Sequence, residues 1–148
     1  MSPAFSAEET AAMRETAAER REAAKREKAS NKAALDLQDV LDKIAEMPAW
    51  EATIATRIHE IVLESAPHLL PKTWYGMPAY ANAEGKVVCF FKPASKFGSR
   101  YCTFGFEEAA QLDEESIWVS SWAILALTTA DEKLIGETVA RAAAGGAP

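Results

Sequence analysis

The segment Val87–Phe91, with the sequence Val-Val-Cys-Phe-Phe, limits the folds open to this chain because every residue in it is apolar. Its β-branched and aromatic residues favour a strand. Successive side chains of a strand point to opposite faces, so this strand would present apolar groups on both. A strand with one solvated face alternates apolar and polar residues instead. We therefore expect helices to cover one face and a loop, a ligand or a second subunit to cover the other.

The chain itself offers a cover for the second face in the segment Ile117–Trp122. Trp118 brings a large apolar surface to it without requiring a dimer. We prefer this segment to a second subunit, and we predict a monomer in which Trp118 is buried against the strand.

Strand composition extends on both sides of this segment. Eleven of the 13 aromatic residues lie between Trp74 and Trp122, among glycines and β-branched residues. Glycine-containing turn signals divide the region. We predict five strands, over 72–75, 79–81, 86–92, 100–105 and 121–127, with a short acidic helix or turn at 107–113.

Helical periodicity precedes and follows this region. Apolar residues recur at helical spacing over 35–47, before Pro48, and again from Trp50 to Val62. A last helix is predicted from Thr129, with Glu132 completing a capping box, to about Ala143. Helices followed by an antiparallel sheet and a further helix define an α+β fold.

Residues 1–33 differ from the rest and form a predicted N-terminal arm, leaving 34–148 as the folded domain. The arm is rich in Ala, Glu, Arg and Lys, and Met13 is its only large apolar residue between Ser6 and Ala34. These residues favour a helix, but a helix that is polar all round has no face to pack. We expect a solvated helix outside the fold, with a docking arm for a partner as the alternative.

Charge and composition exclude several classes of function. The formal net charge is −6, and the 115 residues after the arm carry −7. Nucleic-acid binding needs clustered cations, so we expect none. We expect no membrane span, because no apolar run approaches about 18 residues. The first residues lack the basic start and apolar stretch of a secretory signal, so a cytoplasmic location is expected, with Cys89 and Cys102 as buried free thiols.

Catalytic motifs are missing from the sequence. It contains no glycine-rich phosphate loop, no G-x-S-x-G elbow and no H-E-x-x-H pair. His59 and His68 are expected to be structural or simply exposed. We therefore expect a binding protein rather than an enzyme.

A carboxylate ridge is predicted on the first helix of the domain. Asp39, Asp42 and Glu46 project within about 60° of each other at 100° per residue, opposite the apolar stripe. Oxygen ligands suit hard cations, so the ridge is a candidate metal site. Lys43 lies on the same face, and its positive charge weakens the case for a metal site. The alternative is an ordinary solvated face of the helix.

A second constellation combines cations with aromatic side chains. Cations beside an aromatic wall could orient a small anionic ligand. Lysines at strand edges also prevent edge-to-edge aggregation, which is the alternative. The candidate ligand-binding residues are Trp74, Tyr75, Met77 and Tyr80, with the loop Met77–Tyr80 at the centre, and the cations Lys92, Lys96 and Arg100.

Five strings in the chain resemble the YdhG-like family of proteins of unknown function. The most specific is Tyr75-Gly76-Met77-Pro78-Ala79-Tyr80, and the resemblance covers about 35–143. The strings are Lys72–Tyr80 with Gly85–Phe91, Arg100–Phe106, Ile117–Ala123, and the helix start Leu127–Asp131.

The resemblance implies a frataxin-like sandwich of helices on an antiparallel sheet, and some relatives are described as intracellular iron chaperones. Frataxin-type iron binding uses acidic residues of the first helix and the adjoining strand edge. The ridge matches in kind, but the first strand, Lys72–Tyr75, has no carboxylate. Many relatives also carry proline where this chain has Val119. A cytosolic iron-binding chaperone is thus the most concrete expectation, with a small-anion binding module and a protein-interaction module as alternatives.

Overall fold

In a computed structural model, four helices pack on a five-stranded antiparallel sheet, which confirms the predicted α+β fold class. The structure describes residues 6–26 and 31–144. The elements are, in chain order, α1 (Ala7–Arg26), α2 (Lys32–Ala45), α3 (Ala49–Ser65), β1 (Leu70–Trp74), β2 (Met77–Ala81), β3 (Val87–Lys92), a 3-10 helix (Ser95–Phe97), β4 (Cys102–Phe106), β5 (Ser121–Ile124) and α4 (Thr129–Ala144).

The strands lie in the sheet in chain order, β1-β2-β3-β4-β5, and each is antiparallel to its neighbours. The strand Val87–Lys92 is therefore central, which accounts for its apolar sequence. β1 and β5 form the edges of the sheet. β1 ends in the two-residue turn Tyr75-Gly76, and β2–β3 are joined by residues 82–86.

The core lies between the helices and the sheet. α2 buries Val40 and Ile44, and α3 buries a continuous stripe that includes Ile58 and Val62. Strand residues such as Phe104 complete the core and are fully buried. The apolar stripes predicted for α2 and α3 are confirmed at their centres. They are narrower than expected, because the side chains of Leu41 and Trp50 are 40% and 42% exposed.

A β-bulge changes the predicted alternation of β3. The pairing of β2 with β3 jumps from Tyr80↔Cys89 to Ala81↔Val87, so Val88 is the additional residue. Val88 and Cys89 both belong to the same core cluster. The expectation that Val88 needs a separate cover is therefore wrong.

Phe90 does lie outside that cluster, but its neighbours in the sheet cover it. Its ring is half-buried, 5.3 Å between centroids from Trp74, and it lies over Gly105, where there is no side chain. Trp118 is 46% exposed and Ile117 is 84% exposed. The prediction that Trp118 is a buried core residue is wrong, and the cover of Phe90 comes instead from Trp74 and from the space that Gly105 leaves for its ring.

The arm is helical as predicted, but the expectation that it stays unpacked is wrong. Ala12 and Thr16 on α1 are buried, with 4% and 8% exposure. Ser6 and Glu9 form a capping box at its start, in which Glu9 N donates to Ser6 Oγ at 3.0 Å and Ser6 N donates to Glu9 Oε1 at 3.2 Å. The predicted boundary between 33 and 34 falls inside α2, and residues 1–5 and 27–30 of the arm lie outside the described residues.

The last helix begins with a capping box one residue earlier than predicted. Asp131 N donates to Thr128 Oγ1 at 3.1 Å, and Thr128 N donates to Asp131 Oδ2 at 2.9 Å, so Thr128 and Asp131 take the places predicted for Thr129 and Glu132. Both cysteines are free and buried, as predicted. Within the described ranges, no helix is long and apolar enough to cross a membrane.

Candidate acidic groove and carboxylate cradle

A groove of about 1070 Å³ lies between α1 and α2. Its floor is β1, and the β2–β3 turn, residues 82–85, closes one end. Asn82 shapes this turn, since its Oδ1 accepts hydrogen bonds from Glu84 N and Lys86 N, both at 3.0 Å. We call this feature the acidic groove, because eight carboxylates and four basic side chains line it.

All three members of the predicted carboxylate ridge line the acidic groove. Asp42 and Glu46 are exposed and Asp39 is half-buried. Asp42 Oδ1 accepts a hydrogen bond from Gln38 Nε2 at 2.8 Å, and Glu46 Oε1 lies 3.8 Å from Lys43 Nζ. The prediction that these carboxylates face water is confirmed for Asp42 and Glu46. The water that they face fills a groove, because α1 lies on its opposite side.

The three carboxylates are spread along the helix rather than gathered at one point. Among residues 6–26 and 31–144, no three His, Cys, Asp or Glu side chains come together in a way that could hold a metal ion. The predicted metal ligands Asp39, Asp42 and Glu46 therefore share a wall of the groove without forming a preformed metal centre.

Glu15 and Glu19 on α1 attach the arm to the domain. Glu15 Oε2 accepts from Lys43 Nζ at 3.1 Å, and its Oε1 accepts a shorter hydrogen bond from Lys96 Nζ. One turn later, Glu19 Oε1 accepts from the backbone N–H of Gly76 at 2.8 Å, and Glu19 is also hydrogen-bonded to the Thr73 side chain. We call these four donors, on α2, the 3-10 helix and the β1–β2 hairpin, the carboxylate cradle.

The two carboxylates respond differently to this environment. Partial burial raises the pKa of Glu15, but the hydrogen bonds from Lys96 and Lys43 outweigh it, so the pKa falls below its ordinary value. Burial raises the pKa of Glu19, and its hydrogen bonds from Gly76 and Thr73 offset only part of that shift. The two lysines therefore hold Glu15 in its charged form, whereas Glu19 is held by neutral donors.

The turn beneath α1 requires glycine at position 76. Tyr75 and Gly76 have φ values of 52° and 74°, which is the arrangement of a tight hairpin turn with two left-handed residues. A β-carbon at Gly76 would overlap a carboxylate oxygen of Glu15 and lie 2.9 Å from Lys96 Cε. Glycine therefore supplies both the backbone conformation and the space that lets Glu15 reach its lysines.

The predicted anion site is not assembled as expected. All five residues of β2 are buried, so Met77–Tyr80 is a strand and not a ligand-contacting loop. The Tyr80 hydroxyl lies 2.9 Å from His59 Nδ1 inside the core, and burial lowers the pKa of His59. The expectation that Met77 and Tyr80 contact a ligand is wrong, because both side chains are buried, Tyr80 against α3 and Met77 on the opposite face of the sheet.

The other candidates for the anion site form three groups, one of which brings Lys92 and Lys96 together beside the Phe97 ring. Trp74 and Tyr75 contact each other with ring centroids 5.0 Å apart. Lys92 Nζ lies 5.1 Å from the centre of the Phe97 ring, whereas Arg100 lies over Tyr101 at 5.3 Å. Among residues 6–26 and 31–144, Lys96 is the one predicted cation that binds a carboxylate, and that carboxylate is Glu15 of the arm.

Sequence reasoning missed a buried carboxylate at the start of α3. Glu51 is completely buried, and Ser95 donates to it from its backbone N–H at 3.0 Å and from its hydroxyl. It lines a smaller cavity of about 280 Å³ with Lys43 and Lys96. Glu51 stands in the first turn of α3, where an acidic residue is a common signal of a helix start. That signal predicts an interaction with the helix N-terminus and not a hydrogen bond with the distant Ser95.

Comparison of the chain with family models, with curated proteins and with solved structures finds no match.

Proposed function

We propose that this protein is a non-enzymatic binding domain that takes a cationic ligand in the acidic groove. The observation that carries the proposal is the excess of eight carboxylates over four basic side chains around one groove. Two of those basic groups already contact groove carboxylates, Lys32 with Asp36 at 2.6 Å and Lys43 with Glu15 at 3.1 Å. A cleft lined by one sign of charge concentrates ligands of the other sign.

The distribution of the charges favours a ligand with several positive groups. The carboxylates lie on α1, α2 and the β2–β3 turn, so no single ion contacts them all. Attraction to an exposed carboxylate such as Asp42 or Glu46 contributes only about 0.2–1 kcal/mol in water. Useful affinity therefore requires several such contacts together, as a polyamine or a lysine-rich segment of a partner protein would make.

Ferrous iron is the second candidate, and it is the ligand that the YdhG-like resemblance implies. What supports it is that Asp39, Asp42 and Glu46 share one wall of the groove, because carboxylate oxygens suit hard cations. The side chains would have to turn toward a common point to hold the ion. In this version the domain is an iron-binding chaperone.

Isothermal titration calorimetry of the full chain tests the proposal with spermine, a lysine-rich peptide and, under anaerobic conditions, ferrous iron. The variant carries Asp39→Asn, Asp42→Asn and Glu46→Gln. A matched control carries Glu108→Gln, Asp113→Asn and Glu115→Gln, which removes the same charge from exposed positions outside the groove.

We expect one of the two amine ligands to bind, and the groove variant to weaken it about tenfold while the control changes it far less. Three screened contacts of about 0.2–1 kcal/mol each account for that size. Binding of ferrous iron alone would replace the polyamine version with the iron version. Absence of binding by all three ligands, or equal losses in both variants, would contradict the proposed function.

A further inference from the structure

The face of α1 that meets the domain is built from small and acidic residues. Ala12, Glu15, Thr16 and Glu19 follow the i, i+3, i+4, i+7 spacing of one helical face. Ala12 and Thr16 are buried, whereas Met13 is 46% exposed and lies outside the contact. The small residues let the helix approach closely, and the two glutamates reach the carboxylate cradle.

The cradle separates into two subsites that match two carboxylates one helical turn apart. Side chains four residues apart on a helix lie about 5–6 Å from each other at their β-carbons. The first subsite offers two ammonium groups, Lys43 and Lys96, and the second offers the Gly76 N–H and the Thr73 side chain. Donors from three separate elements are thus directed at the pair of carboxylates that α1 presents.

We propose that the carboxylate cradle is a recognition site for an acidic helix with the pattern Glu-x-x-x-Glu, and that α1 occupies it as an intramolecular ligand. A helix of this kind from a partner protein would displace the arm. The proposal goes beyond cation binding and does not depend on it, but the two are connected, because α1 is also one wall of the acidic groove. A partner helix seated in the cradle would then replace α1 as that wall of the groove.

The contacts of α1 make it suited to displacement. Its anchoring glutamate and the two lysines keep 26–29% of their side-chain surface exposed, so their ion pairs are partly screened. No large apolar side chain of α1 is buried in the described part of the arm. A tethered helix competes at an effective concentration of about millimolar, so a partner in trans gains access only when its own contacts are better or the arm is weakened.

The test uses the full chain and a fluorescent peptide of residues 6–26, with binding measured by anisotropy. In the natural chain we expect weak binding, because α1 fills the cradle. In the variant Glu15→Gln/Glu19→Gln the arm should be released, and the peptide should bind at least about tenfold tighter. Adding Lys96→Gln to that variant should remove the gain, because the first subsite then lacks one of its two ammonium groups.

Two further peptides separate the helix pattern from general charge attraction. One carries Gln at positions 15 and 19, and the other carries Gln at positions 8 and 22, so both have the same net charge. Only the second should retain the binding. Equal binding of both, or displacement of the peptide by sulfate at comparable concentration, would overturn the proposal and indicate a general anion site.

Amide hydrogen exchange of α1 reports directly whether the arm is seated in the cradle, in the natural chain and in the variant. Excess natural peptide added to the natural chain should speed amide exchange in α1, because the arm is displaced in trans, and the 15/19 peptide should not. If the Glu15→Gln/Glu19→Gln chain keeps α1 protected, or loses that protection without gaining affinity for the peptide, the cradle is not a site for acidic helices.

Discussion

Replacement of Gly76 by alanine changes the one position where the turn, the arm and the lysines meet. Gly76 has a φ of 74°, a left-handed conformation that costs an L-residue about 1–2 kcal/mol. The added β-carbon would also overlap the Glu15 carboxylate. That flexible side chain can move away, but it then loses its contacts with Lys43 and Lys96, which are worth about 0.2–1 kcal/mol each. We expect a loss of about 1.5–4 kcal/mol in the free energy of unfolding.

Gly85→Ala is the matched control, because Gly85 has a φ of 82° and a β-carbon there would meet nothing within 4 Å. It should show the backbone cost alone. Urea denaturation of both variants, repeated in a Glu15→Ala background, measures the coupling. In that background Gly76→Ala should cost about as much as Gly85→Ala. Equal costs of the two substitutions in the natural chain, or an unchanged Gly76→Ala cost without Glu15, would refute the seating of the arm on this turn.

Three further predictions concern the sheet and the core, and denaturation measures each. Gly105→Ala would put a β-carbon 2.5 Å from Phe90 Cζ, so it should cost about 1–3 kcal/mol, and less once Phe90 is alanine. Trp118→Ala should cost under about 1 kcal/mol because Trp118 is 46% exposed, whereas Phe104→Ala should cost about 3–5 kcal/mol; the opposite order would contradict the fold. Burial lowers the pKa of His59 in the folded protein, so the contribution of His59 to the free energy of unfolding is present above the ordinary pKa of 6.5 and is lost as the pH falls below that value. The variant His59→Gln should therefore show a flatter dependence of stability on pH in this range, and an unchanged slope would contradict the prediction.

The strands and the wall of the groove could be predicted from local pattern. The apolar run Val87–Phe91 predicted a strand, and it is the central strand of the sheet. The spacing of Asp39, Asp42 and Glu46 opposite the buried Val40 and Ile44 placed them on one face, and that face lines the acidic groove. In both cases, the sequence pattern that supports the prediction lies within a few consecutive helical turns or strand residues.

The docking of α1 could not be predicted in the same way. Its contact face carries Ala12 and Thr16 in place of large apolar residues, so the usual amphipathic signal is missing. The donors for its glutamates lie 57 residues away at Gly76 and 81 residues away at Lys96, and one of them is a backbone N–H that any sequence supplies. Such contacts depend on the tertiary arrangement of a turn.

The burial of Met77 and Tyr80 could not be predicted for a related reason. The aromatic residues near Gly76 indicated a binding loop, yet aromatic side chains are equally suited to a core. Tyr80 is buried in the core, where its hydroxyl lies 2.9 Å from Nδ1 of His59 on α3, a partner that lies 21 residues away in the chain. The bulge at Val88 likewise arises from the pairing of two strands and not from the sequence of one.

The binding of a cation in the acidic groove is tested most directly by mapping the site of a bound amine. In a titration of the ¹⁵N-labelled full chain with spermine, followed by amide chemical shifts, the saturable changes should concentrate in α2 from Asp36 to Glu46 and in the turn 82–85. Largest changes in the other acidic segment, residues 107–115, or an absence of saturable changes both with spermine and in a second titration with the lysine-rich peptide, would contradict the assignment of the groove as the binding site.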